Sequence, residues 1–516
     1  MSSKVHRTRF PSVKKFNRKE KRNGIMQKSK NTSYYIWCAV SLCFMFLFRV
    51  IVPPFAGITP EGMTVLGVFF GVLIATVATN ETFWPAVLGL FALVWGKFTT
   101  GNALLATWFG NVTIQQIIWV MALTGAVTES GAVNVLARKM MKLKVMQGNG
   151  VRFLIVFFLL VMVCAALVSS PTTIILLFFP MIDSIAEVCK IEDDSDLKRE
   201  LLLGTYISAM GAYVLPFKGV HLSSIAIISG ILEASGLAFN NAAYLITATL
   251  VVLLFILGYV AFIRFVWKTD LSPLKNFSFE KMGVKEEDLK MNKRQKILLG
   301  VLLFAIVFLL ASMFIKKGSP LYDYYSRIGN TWIWIVLFGV LSMCRDADGK
   351  PFINGVKLLQ SKTMWGIVAV AGCFTICGSA IASDDWGIKA AIAGVLNPIM
   401  GNSSWPILVI LCVAISTVFT NFTNGMPVSF TINSICIPMA ATLELQGSVC
   451  ASILGVASIL GGMCAFLTNG AIAYAPLLLG RKEITGKFIW SKGVVTNIIF
   501  VVVASVICIL FGYLFA

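Results

Sequence analysis

Two polar clusters interrupt apolar runs at corresponding places in this chain, and that pairing restricts its fold more than any other feature. The first is Ser169-Ser170-Pro171-Thr172-Thr173 and the second is Thr420-Asn421-Phe422-Thr423-Asn424-Gly425. In a bilayer, non-helical backbone is tolerated only where protein buries it or where it lines a watery cavity. Two such interruptions, one in each half, point to a central binding site built from internal repeats, the arrangement of secondary transporters.

Composition sets the class. The 516 residues are 57% hydrophobic and 13% charged, more apolar surface than a soluble domain can hide and what a bundle of membrane spans shows to lipid. The chain reads as an all-α polytopic membrane protein. Its net charge of +19 is concentrated in residues 1–32, which hold eleven Lys/Arg against Glu20 alone. Without aromatics interleaved on a folded basic face, that tail has no nucleic-acid signature and reads as a disordered cytoplasmic arm lying on anionic lipid. The run Tyr34 to Val52 is too long for a cleaved signal and lacks a small-residue cleavage site. Twelve scattered cysteines with no CxxC pair, and only two histidines, give no zinc or haem pattern. No nucleophile or metal motif supports an enzyme.

Charge placement predicts the topology. Basic clusters at Arg138-Lys139 with Lys142, Lys144 and Arg152, and at Arg481-Lys482 with Lys487 and Lys492, mark the cytoplasmic side. The acid-rich loop Lys190–Glu200 is placed outside. Residues 267–296 read as a cytoplasmic linker with a surface helix over Glu286–Lys296. It separates two transmembrane repeats, 34–266 and 297–516. The first opens with spans 34–52, 62–79 and 83–97, the second with 297–315, 330–344 and 363–382. About eleven crossings of the cell membrane follow, with the N-terminus inside and Ala516 outside. Lys316, Lys317 and Arg327 fall in a loop placed outside, against the charge rule.

The order of elements carries a family resemblance. Trp119–Met141 leads into Ala166–Ile182, with Ser170-Pro171-Thr172 at the polar tip and Pro180 ten residues after Ser170. This resembles the divalent-anion/sodium symporters, the dicarboxylate and citrate carriers of the ion-transporter superfamily. There, a hairpin tipped Ser-Asn-Thr follows a span ending in Glu-x-x-Gly-Leu, and a proline lies ten residues beyond the tip serine. The likeness covers nearly the whole membrane part. It implies two inverted repeats, each with a re-entrant hairpin and a broken helix, in a homodimer. Two hairpin tips and two helix breaks then enclose a small anionic substrate and Na⁺. Helix N-termini favour an anion, and spare carbonyls and hydroxyls hold Na⁺.

By position, the resemblance assigns substrate contacts to Ser170, Pro171, Thr172, Thr423, Asn424 and Gly425, and ion contacts to Ser169, Gly219, Thr420, Asn424 and Asn469. The chain departs from the pattern at both tips, with Pro171 for the first Asn and Gly425 for the second Thr. Near the first break, Gly-Thr-Pro-Pro-Asn is replaced by a stretch holding Lys218, Gly219 and His221. At the second, Thr-Pro-Pro-Asn becomes Ile472-Ala473-Tyr474-Ala475. Two readings of Lys218 and His221 stand. Either they meet the substrate, the ammonium replacing a coupling cation and the imidazole carrying protons, or the lysine snorkels to an interface. Glu129, in an otherwise apolar span, reads as a salt-bridge partner of a nearby Lys or Arg or as an ion ligand. The expectation is a carrier of a dicarboxylate-like acid, coupled to Na⁺ or protons or working by exchange. The alternative is a cation/proton antiporter or inorganic oxyanion exporter of the same superfamily. No cofactor is expected beyond the coupling ion.

Overall fold

The structure, a computed structural model, describes residues 13–168, 170–312, 315–316, 318–346, 349–392, 394, 405–423, 425–441, 447–468, 471–472 and 474–515. The described residues are helical apart from connections and one isolated bridge, Arg345–Pro351. Among the described residues, eight helices are long and apolar enough to cross a membrane, or nine if the bent pair Gly101–Gly110 with Val112–Glu129 is one span. The second of them shows how local sequence sets an end. Thr59 caps Pro60–Thr79 by accepting from the Gly62 N–H, with Pro60 at the first position, where its missing N–H costs nothing. Asn80 stops it in the left-handed region, donating back to the Thr76 carbonyl.

Contacts between helix ends fix the course of the chain. At what we call the proximal end, Tyr34 meets Glu81, Gln295 Nε2 donates to the Ser130 carbonyl, and Arg138 and Lys142 pair with Asp288 and Glu286. At the distal end, Thr59 N–H donates to the Trp386 carbonyl and Asn240 N–H donates to Ser452 Oγ. Followed between these ends, the described helices leave Tyr34 and Phe515 at opposite ends of the bundle. The hairpin Gly150–Leu167 with Pro171–Cys189 enters and leaves at the proximal end, where Phe153 packs on the linker's Phe277 at 4.9 Å. The hairpin Trp405–Thr420 with Gly425–Ala441 enters from the distal end, where Trp405 Nε1 donates to the Ile509 carbonyl. Each hairpin is preceded by a short arm and a span, and followed by a broken helix and a closing span. The arm and span are Gly101–Gly110 with Val112–Glu129 in the first repeat and Gly355–Lys362 with Trp365–Ala382 in the second. Opposite entry of the two hairpins makes the repeats inverted.

One topological expectation is overturned. The Lys190–Glu200 loop shares an end with the basic C-terminal cluster that it was expected to oppose. Arg481 NH1 bonds Asp183 at 3.0 Å, Lys198 bonds Glu483 at 3.0 Å, and Lys492 bonds Asp196 at 2.9 Å and Glu200 at 2.6 Å. The loop's acids are balanced by cations almost three hundred positions away, which a local charge count does not see. Acidic residues also weigh little in the orientation rule.

Two smaller differences concern the polar segments. The surface helix expected over Glu286–Lys296 is a 3₁₀ turn, Glu286–Leu289, followed by a helix that begins only at Lys293. Residues 13–31 of the basic tail are helical and continuous with the first span, giving one helix Val13–Ile51.

Candidate functional site

The first tip forms because helix Gly150–Leu167 stops at Val168, whose backbone is extended. The chain stays extended at Ser170 and re-enters helix at Pro171. Ser170 makes no side-chain cap, and the hydroxyls of Ser170, Thr172 and Thr173 have no hydrogen-bond partner among the described residues. Ser169 lies outside the described residues. Beside the tip is a cavity of about 200 Å³ lined by Ser170, Thr173, Val220, Thr124, Thr128 and Lys362, among others. Thr124 and Thr128 bond back to carbonyls of their own helix. That leaves the tip hydroxyls as the uncommitted ones on the cavity wall.

The first break is long. Helix Asp196–Ser208 tightens to a 3₁₀ turn at Ala209–Tyr213, and helix resumes at Leu222. Gly219, at φ +97, turns the chain where a side chain would be strained. Carbonyls freed by the break are collected by side chains, as buried polar groups require. Gln116 Nε2 donates to Phe217 O at 2.9 Å, and His221 Nε2 lies 3.0 Å from Leu215 O. Lys218 is fully buried and donates to Val168 O, the carbonyl of the first tip, at 2.6 Å. The ammonium thus ties break to tip, neither facing the cavity nor snorkelling. His221 is also fully buried, between Tyr213 and Tyr244 at ring distances of 5.6 and 6.1 Å, and its Nδ1 has no partner among the described residues.

The second tip is tied to its own break by a different residue. Asn421, buried, accepts at Oδ1 from the N–H groups of Phe466 and Leu467 at 3.0 and 2.9 Å. Its Nδ2 donates to Thr417 O at 2.8 Å and Cys464 O at 3.4 Å, and its own carbonyl accepts from Thr468 Oγ1. Thr420 Oγ1 donates to Gly462 O at 2.7 Å, while Thr423 Oγ1 is buried without a partner among the described residues. Asn424 and Asn469 lie outside the described residues. The two breaks meet at the Tyr213 and Tyr474 hydroxyls, 3.1 Å apart, and the repeats meet again at Ser224 and Ser429, also 3.1 Å apart.

Gly425 has a packing role. A Cβ there would lie 1.6 Å from the Gly462 carbonyl oxygen, so the hairpin's second helix starts in backbone contact with the helix leading to the break. Overpacking of this kind costs about 1–3 kcal/mol or more. Gly425→Ala is expected to lower the melting temperature of the purified protein and to cut uptake, normalised to membrane expression, at least tenfold. Wild-type uptake in that variant removes the contact from the working structure.

The structure thus brings Ser170 and Thr173 together at one cavity and places Lys218, His221, Thr420 and Gly425 in the buried ties around the two breaks. Sequence reasoning passed over Asn421, Gln116 and Thr173 as individual site residues. Gln116 and Asn421 did carry a signal, being amides within apolar spans. Lys362 carried none, because the helix it meets is far away in sequence.

The chain is similar in fold to the YdaH transporter of Alcanivorax borkumensis, with a TM-score of 0.55 over 88% of this chain and 98% of that one, at 13% sequence identity. No curated protein matches it in sequence. The sequence pattern of the family described as Citrate transporter (CitMHS) matches residues 72–461, from the second span to the helix entering the second break. By that match over most of its length, the chain belongs to the citrate transporter family.

Proposed function

We propose that the protein is a secondary active transporter of a small di- or tricarboxylate, acting as a homodimer in the plasma membrane. The observation that carries this reading is the cavity at the first tip, where Ser170 and Thr173 offer uncommitted hydroxyls beside a helix start and one cation, Lys362. Hydroxyl donors and a positive charge are what a carboxylate needs. The proximal end faces the cytoplasm in this reading, since the linker and the unbalanced basic residues lie there. Na⁺ at the second tip, near Thr420, Thr423 and Asn424, is the preferred coupling ion, with proton coupling or exchange as the alternatives.

Uptake of radiolabelled succinate and citrate into proteoliposomes, with Na⁺ and proton gradients imposed separately, tests this. Accumulation driven by one gradient is expected, and no uptake of either acid under any gradient or counter-anion overturns it. A hydrogen bond to a charged group is worth about 1.5–3 kcal/mol. Ser170→Ala, Thr172→Ala, Thr173→Ala and Thr423→Ala should therefore each raise KM about tenfold at unchanged membrane expression. Wild-type kinetics in all four would remove the site from the tips.

A further inference from the structure

We propose that the Lys362 ammonium recognises a carboxylate of the substrate and that Glu129 is its internal competitor, exchanged for the substrate on binding. This rests on reading the first-tip cavity as the substrate site. Lys362 is the charged residue among those lining that cavity, and it comes from the opposite repeat to the tip. It ends the arm Gly355–Lys362, and its stem lies across the helix Val112–Glu129 at Gly125. A Cβ on Gly125 would sit 2.6 Å from Lys362 Cβ and 2.7 Å from its Cγ, so glycine is what lets the lysine lie there. From that crossing the ammonium reaches Glu129, one helical turn further on, at 3.3 Å.

The character of this pair separates Lys362 from Lys198 in the proximal network and from Lys218 at the first break. Its side chains are 36% and 46% exposed, and a pair so open to water is worth about 0–1 kcal/mol. A ligand carboxylate can replace Glu129 at little cost. Lys198, by contrast, is 5% exposed and shared among Asp183, Asp193 and Glu483. Lys218 is fully buried on the Val168 carbonyl. Neither can turn to a ligand without breaking the structure around it. A substrate on Lys362 and the tip hydroxyls would join the arm of the second repeat to the hairpin of the first.

The test uses purified full-length protein and reads anion-dependent thermal stabilisation, a measure of binding independent of transport. Citrate, succinate and sulfate are the probes, with chloride as the reference. Lys362→Gln is expected to shift half-maximal stabilisation at least tenfold higher, most for citrate and least for a monocarboxylate such as acetate. Glu129→Gln is expected to shift it two- to fivefold lower, and the double variant should behave as Lys362→Gln alone. Gly125→Ala, which displaces the lysine without removing its charge, should fall between. Lys357→Gln, an exposed lysine on the same arm, should match wild type. Overturning results are equal stabilisation of wild type and Lys362→Gln, a loss in Glu129→Gln as large as in Lys362→Gln, or no stabilisation of wild type by any of the probes. Stabilisation with the expected pattern but no uptake in liposomes would leave this inference standing and overturn transport instead.

Discussion

Asn421→Ala should bring uptake to background and lower the melting temperature of the detergent-solubilised protein more than any other tip substitution. The asparagine is 2% exposed, and its amide makes four hydrogen bonds across the second tip and break. Truncation leaves the N–H groups of Phe466, fully buried, and Leu467, half-buried, without this acceptor. Each buried orphan costs about 1–3 kcal/mol. Asn421→Asp keeps both acceptor bonds but gives up the donors to Thr417 and Cys464, so it should retain more stability than the alanine variant. A melting temperature and an uptake rate equal to wild type in Asn421→Ala would sink the idea that this amide holds the second break to its hairpin.

The second large effect is expected at Lys218, and here stability and activity should part. The ammonium is buried against one carbonyl, with no carboxylate bonded to it among the described residues. A charge deep in a membrane protein costs about 2.5–3.5 kcal/mol on insertion scales, and one neutral acceptor does not offset that. Lys218→Met, similar in length and free of charge, should hold or raise the melting temperature. It also frees the Val168 carbonyl and so loosens the first tip, and uptake should fall at least tenfold. The same cation repels Na⁺ from the first break, at short range and low dielectric. We therefore expect wild-type uptake to lack cooperative Na⁺ activation. Steep Na⁺ cooperativity that persists in Lys218→Met, or unchanged uptake in that variant, contradicts this account of the lysine.

The sequence shows the plan of the fold because that plan is written in local terms. Long apolar runs announce spans, and polar clusters at Ser169–Thr173 and Thr420–Gly425 announce tips, without reference to anything distant. The breaks are legible through the resemblance, at the stretch holding Lys218, Gly219 and His221 and at Ile472-Ala473-Tyr474-Ala475. What escaped depends on partners far along the chain. The Lys190–Glu200 loop reads as an external acidic loop until Arg481 and Lys492 are seen to bond Asp183, Asp196 and Glu200. Lys218 reads as either an anion ligand or a lysine snorkelling to an interface until its acceptor at Val168 is known. Lys362 gives no signal in the sequence, because the glycine its stem lies across, Gly125, is in the other repeat.

The ion-pair network at the proximal end has an electrical consequence. Its five carboxylates, Asp183, Asp193, Asp196, Glu200 and Glu483, stand against four cations, Lys198, Arg199, Arg481 and Lys492. Nearly neutral as a whole, the network would carry about one elementary charge if it shifted along the membrane normal. A full crossing of the field by one charge is worth about 2.3 kcal/mol per 100 mV, and a partial shift is worth less. Membrane voltage therefore has little grip on this part of the protein.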